Sequence, residues 1–335
     1  MFGTATPIFK NPRLGLAAGL AVAVLLQLCG GWIDPYTTQV IIFAAINVIL
    51  AVSLNLVMGE TGQFSLCHAA FMAVGAYSSA ILTGKVLPSL LPHFSWTGIS
   101  LASQLSFLPV LLIAGVIAAL AGLIVGGPSL RLRGDYLAMV TLGFGEIIRV
   151  LLQNTNAVGG ARGMEGILPA TNLFWTVGAA VATLYTMIAL VRSTYGRGFL
   201  AVRDDEIAAA AMGIDTTKFK VTAFVIGAFF AGVAGALYAH AVEFISPEGF
   251  NFLRSFEIIV MVILGGLGRP VAVAIAAILI TLLNEWLRDF SQYRMVIYAI
   301  IIILFMILRP AERLAPLFHQ LKSLLPGGRK TPVVP

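Results

Sequence analysis

About ten stretches of this sequence are apolar over close to the roughly 20 residues that a helix needs to cross a bilayer, and no soluble fold has room to bury so many. They run approximately Leu14 to Gly31, Thr37 to Met58, Phe64 to Thr83, Ser106 to Gly126, Asp135 to Gln153, Leu173 to Val191, Phe219 to Ala241, Phe250 to Gly268, Pro270 to Arg288, and Tyr293 to Leu308. Glycines interrupt the third, fifth and eighth, at Gly75, at Gly143 and Gly145, and at Gly265-Gly266. With 59% hydrophobic and 11% charged residues, the chain has too little polar surface to coat a soluble globule of 335 residues. The fold class this predicts is an all-α polytopic membrane protein of about ten transmembrane helices. The first stretch follows Lys10 and Arg13 but ends in Cys29-Gly30-Gly31-Trp32 rather than a small-x-small cleavage site, so it is expected to stay as a signal anchor.

One segment breaks the pattern. Arg192 to Lys220 holds nine of the chain's thirty-six charges in twenty-nine residues, between two apolar stretches, so it has to lie in water. Asp204 to Gly213 reads as one short helix: Asp204, Asp205 and Glu206 suit the positive end of the dipole, four alanines propagate it, and Gly213 fits the left-handed position after the last turn. With both chain ends inside, fifteen Lys and Arg fall inside, five outside, and Arg149 within a span. That excess follows the positive-inside rule and puts the island in the cytoplasm. The net charge of +6 is therefore spent on membrane orientation, and no nucleic-acid partner is expected. The expected organisation is a cytoplasmic N-terminus (1–13), a transmembrane domain (14–310) carrying the 192–220 loop, and a cytoplasmic tail (311–335). The glycine-rich run Val158 to Gly166 is a loop outside, too short for a domain.

Catalytic patterns are missing. The sequence has no Gly-x-x-x-x-Gly-Lys-Ser/Thr phosphate loop, no His-Glu-x-x-His and no Cys-x-x-Cys, and its four histidines are scattered. Energy for work against a gradient then has to come from another subunit or from an ion. Polar groups within spans mark a different activity, since they normally face a bundle interior or a water-filled path. The second stretch carries Asn47, Ser53 and Asn55, and the run after it, Gly59 to His68, permits tight turns at Gly59 and Gly62. A broken helix there can aim backbone dipoles at a polar solute; the alternative is that these groups bond neighbouring helices. Asn47, Asn55, Gln63, Ser65, His68 and Glu146 are the candidate substrate-path residues. Glu146 and Arg149 stand i, i+3 and can pair with each other. Asn284 and Glu285 are expected to reach the membrane interface. The run Gly227-Ala228 with Ala231-Gly232 and Ala234-Gly235-Ala236 reads as a helix-packing face.

Several of these blocks resemble the membrane permeases of high-affinity branched-chain amino-acid ABC importers. They are Gly59 to Phe71 with Gly75-Ala76-Tyr77, Leu130 to Ala138 with Thr141 to Ile147, the Gly196-Arg197 to Gly213 island, and Leu308-Arg309-Pro310. They occur in the family's order from about residue 40 to 315, and look closer to its second, M-type permease partner. The resemblance implies an ABC importer permease fold in a bacterial inner membrane, paired with a homologous permease subunit as a heterodimer. It further implies two ABC ATPase subunits that bind ATP and Mg, and a periplasmic substrate-binding protein. This chain itself would bind no cofactor and no metal, and would be a translocation subunit rather than an enzyme. The island then corresponds to the ATPase-coupling loop, with Arg203, Asp204, Asp205, Glu206, Ala208, Ala209 and Gly213 matching its pattern. Cys67 stands where the family usually has glycine, and Arg269 to Ala274 lacks glycines common there. The implied substrates are branched-chain or other hydrophobic amino acids, with urea or short amides as the alternative. An ion-coupled transporter would need a carboxylate such as Glu146, whose partner Arg149 argues against proton coupling.

Overall fold

The computed structural model describes residues 12–29, 34–87, 101–129 and 134–288, with 132, 296, 297 and 300. The chain falls into two units, 1–286 and 287–335, and the first carries every feature below. Residues 1–11, the tenth apolar stretch at Tyr293 to Leu308 apart from three positions, and the 311–335 tail lie outside the described residues.

Eleven helices follow in order among the described residues: α1 Pro12–Cys29, α2 Pro35–Asn55, α3 His68–Ile81, α4 Leu101–Ser129, α5 Asp135–Asn154, α6 Leu173–Arg192, α7 Gly196–Asp204, α8 Glu206–Ala211, α9 Thr216–Val242, α10 Phe252–Gly265 and α11 Pro270–Trp286. Side-chain caps fix several starts by satisfying amides that have no partner within the helix. Asp34 accepts from Tyr36 N ahead of Pro35, Asn172 from Trp175 N, Asp215 from Lys218 N and Asn251 from Arg254 N. Six helical stretches are long and apolar enough to cross a membrane: Pro35–Glu60, His68–Val86, Phe107–Ser129, Tyr136–Asn154, Leu173–Arg192 and Thr216–Val242. Gly15–Leu28 and Pro270–Trp286 are apolar but shorter. The third starts at His68 rather than Phe64, because Gly62 to Cys67 is non-helical.

The core is built around α9, which packs most extensively on α4 and α3. The small residues read from the sequence as a packing face are that contact. A Cβ on Gly232 would lie 2.4 Å from the Ala118 Cβ, one on Gly235 1.9 Å from Met72 O, and one on Gly75 2.1 Å from Gly232 O. Only hydrogen at these sites lets the backbones meet, which is how helices associate where lipid supplies no hydrophobic drive. Helix α2 is buried all round from Ala44 to Asn55, and packs on α6, α9, α10 and α11. The Val158–Gly166 run is more ordered than a plain loop: Met164–Glu165 (β1) pairs antiparallel with Phe244–Ile245 (β2), the segment just after α9.

Candidate functional site

Two irregular regions meet in this unit, a break after α2 and the charged island. Helix α2 loosens into a π turn at Leu56–Glu60, and the chain then runs non-helically until α3. Thr61 Oγ1 donates to Val57 O (2.7 Å) and accepts from Gln63 Nε2 (3.0 Å), while Gly62 takes φ +70, where a Cβ is strained. The break is tied to its surroundings at each end. Leu66 N donates to Thr141 Oγ1 of α5 (3.1 Å), and Ala69 N to Ser255 Oγ of α10 (3.2 Å). Gly268 N, in the turn between α10 and α11, donates to Asn55 Oδ1 (3.0 Å), and a Cβ on Gly59 would stand 2.3 Å from that same nitrogen.

The six candidate path residues distribute among these bonds. Asn47 Oδ1 accepts from Arg254 Nη2 (2.8 Å) and its Nδ2 donates to Thr281 Oγ1 (2.9 Å), while Arg254 also pairs with Glu257 (2.9 Å). Eight residues on, and so about 12 Å further along the axis, Asn55 serves the α10–α11 turn. His68 bonds Ser53 (2.9 Å), and Ser65 contacts Cys67 Sγ (3.3 Å). The amide oxygen of Gln63 is buried with no hydrogen-bond partner. Glu146 pairs with Arg149 at 2.7 Å, as the i, i+3 spacing led us to expect, and lines a crevice with Leu66, Ala70, Asn251 and Ser255. Glu285 accepts from the Tyr36 hydroxyl, joining α11 to α2. Gln63 and Ser65 share the break and Glu146 is close to Leu66, whereas Asn47 belongs to a separate network.

The short helix expected over Asp204 to Gly213 is present as α8, starting two residues later, and a second helix, α7, precedes it in the island. Asp205 is extended (φ −159, ψ 111) and caps α8, its Oδ1 accepting from Ile207 N (2.8 Å) and Ala208 N (3.0 Å). Arg203 and Asp204 therefore end α7, and only Glu206 lies in the first turn of α8. Three consecutive acids fit a helix N-terminus equally well by charge, and the capping bonds choose the middle one. Gly213 takes φ +83, as expected of a residue that ends a helix left-handed.

Contacts divide the island into an inner and an outer side. Phe219 of α9 packs between Tyr195 and Phe199, and Gly198 leaves room for its ring. Glu206 Oε1 is 2.7 Å from the buried Lys220 Nζ, and Ala209 is buried beside them. Arg203 turns toward the break: its Nη1 donates to Gly59 O (3.5 Å) and faces Glu60 Oε2 at 3.8 Å, while Nε and Nη2 donate to Asp204 Oδ1 (3.0 and 2.9 Å). On the outer side Ala208 and Gly213 are exposed, together with Ile207 (69%) and Met212 (82%). Sequence reasoning passed over Ile207 and Met212. Their signal was present, since each is a large apolar residue flanking an alanine run inside a charged segment. Among the described residues, no group of three or more His, Cys, Asp or Glu could hold a metal ion.

A helical membrane bundle with an interrupted span, and with an exposed helical knob bonded to that interruption, has the build of a membrane transport component. Residues 36–308 match the family described as branched-chain amino acid transport system / permease component, and the chain belongs to it. It is 36% identical, over 93% of its length and 78% of the relative's, to the high-affinity branched-chain amino acid transport system permease protein LivM of Escherichia coli strain K12. A probable branched-chain amino acid transport permease protein LivM of Methanocaldococcus jannaschii is 24% identical over 76% of this chain and 82% of its own. The autoinducer 2 import system permease protein LsrC of Yersinia pestis strain Pestoides F is 25% identical over 84% and 82%. No solved structure matches the chain. This is a translocation subunit, not an enzyme.

Proposed function

We propose that this chain is one of two homologous permease subunits in an ATP-driven importer that moves branched-chain or other hydrophobic amino acids into the cytoplasm. The companion permease forms the path with it, two ABC ATPases bind ATP and Mg, and a periplasmic protein delivers the substrate. The chain lies in the bacterial inner membrane with the 192–220 loop and both termini in the cytoplasm, where the excess of basic residues is expected. The assignment of amino acids rests on the 36% identity with the Escherichia coli permease, sustained over 93% of this chain.

The observation that carries the coupling role is the outer side of α8. Ile207, on a helix that Asp205 caps and the Glu206–Lys220 pair anchors, and Met212, just past that helix's end, stand in solvent. An apolar patch rimmed by charge is the form that a protein-docking surface takes. An ATPase that closes on nucleotide and holds this knob transmits its movement to the bundle.

Reconstitution tests this. The purified assembly in liposomes, supplied with binding protein, is expected to accumulate radiolabelled leucine only when ATP is present on the ATPase side. Accumulation without ATP refutes the coupling, and uptake of urea in place of leucine replaces the substrate reading with the short-amide one.

A further inference from the structure

If the island is moved by a partner, something has to carry that displacement into the spans. Among the described residues, its polar contacts with the bundle include two places. One is the base of α9, through Glu206 with Lys220 and Tyr195 with Thr222. Helix α9 is a continuous helix of 27 residues, held by backbone-close crossings at Gly232 and Gly235. The other is the break after α2, where no helical hydrogen bonds hold the chain between Thr61 and Cys67.

Arg203 stands where the island, the break and the α10–α11 turn come together. Its guanidinium bonds Asp204 on the island and reaches the break at longer range, to Gly59 O at 3.5 Å and Glu60 at 3.8 Å. A Cβ on Gly268 would be 3.4 Å from the same Nη1, and Gly268 N is the donor to Asn55. Glu60 is 3% exposed and faces this guanidinium, whereas the arginine side chain is 37% exposed beside an open cleft that Met58, Gly62 and Leu267 also line. A buried carboxylate depends on its cation. Moving the island toward the break shortens the pair, and moving it away strips Glu60 of that partner.

We propose that Arg203 is the positioning residue through which the island sets the conformation of the α2 break and the adjoining α10–α11 turn, acting on Glu60 and the Gly59 carbonyl. This assigns Arg203 to the membrane side of the loop and leaves the ATPase contact to Ile207 and Met212. It rests on the coupling reading above.

The test compares the wild-type importer, Arg203→Gln, Glu60→Gln and the double variant in liposomes, reading leucine transported per ATP hydrolysed. Each single variant is expected to lower that ratio about fivefold or more, with an unchanged KM for the loaded binding protein. The double variant is expected to be no worse than the poorer single one, because both remove the same link. Losses that multiply, or a ratio that does not move, overturn the proposal. Arg203→Lys covers the case in which Glu60→Gln fails to fold: it keeps the charge but not the fork, and an intermediate ratio is expected, whereas a wild-type ratio counts against the proposal. A crosslink from Ala208→Cys to the ATPase separates the two ideas. If it forms while the ratios stay flat, this inference alone fails; if it never forms in an active assembly, the coupling reading falls and takes this inference with it.

Discussion

Replacing Gly235 with alanine adds one methyl group at the tightest point of the bundle. The new carbon would stand 1.9 Å from Met72 O, 2.8 Å from Met72 C and 3.0 Å from Ala76 N, all backbone atoms that no rotamer change can move aside. Ordinary carbon contacts begin near about 3.5 Å, so α9 and α3 must part by roughly 1.5 Å here. The neighbouring crossing of Gly75 on Gly232 lies one turn away and opens with it. Overpacking of this kind costs about 1–3 kcal/mol, against which alanine recovers up to about 1 kcal/mol of helix propensity. With two crossings strained, the net loss is about 2 kcal/mol. Thermal unfolding in detergent, followed by tryptophan fluorescence, is expected to show Tm several degrees lower for Gly235→Ala. Gly143→Ala is the matched control, since a Cβ there meets nothing within 4 Å, and it is expected to match or slightly exceed the wild type. Equal Tm for the two variants would refute the argument that backbone contact at Gly235 holds α9 in place.

Two further outcomes bear on the island. Ile207→Asp and Met212→Asp are expected to abolish co-purification of the ATPase with the solubilised permease while leaving its elution profile unchanged, because they charge the exposed patch and touch no buried contact; retained co-purification would move the docking site elsewhere. Lys220→Met leaves Glu206 without its 2.7 Å partner and loosens α8 from α9 by about 1–3 kcal/mol, between the values for surface and fully buried pairs. Chymotrypsin is expected to cut within 192–220 many times faster in that variant, and an unchanged cutting rate would show that the pair does not anchor the knob.

What the sequence could reveal was local. The apolar windows, the glycine face of α9, the Glu146–Arg149 pair and the left-handed Gly213 follow from spacing along one helix or from one residue's backbone preference. The division of the island at Asp205 was not legible, because Asp204, Asp205 and Glu206 are alike in charge and only amide geometry separates the cap from its neighbours. Nor could spacing show that Ile207 faces outward and Ala209 inward, since Lys220, fourteen residues beyond Glu206, fixes the rotation of α8. The partners of Asn47, Asn55 and Arg203 lie 207, 213 and 144 residues away in sequence. A polar residue in a span announces that it needs a partner, but not which one.

Those distant partners give the bundle its mechanical pattern. Helix α10 has 14 residues and is therefore about 21 Å long, short of the roughly 30 Å hydrocarbon core. Irregular backbone at the ends of such a short helix, packed inside a membrane bundle, needs partners from the protein. Asn251 caps the first turn, Glu257 and Asn47 hold Arg254, and Asn55 takes the amide of Gly268 past the other end. Asn47 and Asn55 belong to α2, and they meet α10 and its following turn in the same order along the chain, so the two helices run side by side in one sense. The short helix and the interrupted one are thus bonded to each other at both ends of their contact. A displacement of the break that drew Asn55 away from Gly268 would leave the buried Asn55 side-chain oxygen without that donor, at a cost of about 1–3 kcal/mol. Moving α2 and α10 as one piece would keep that bond, but Ser255 of α10 also accepts from Ala69 N of α3, so the start of α3 is tied to the same pair.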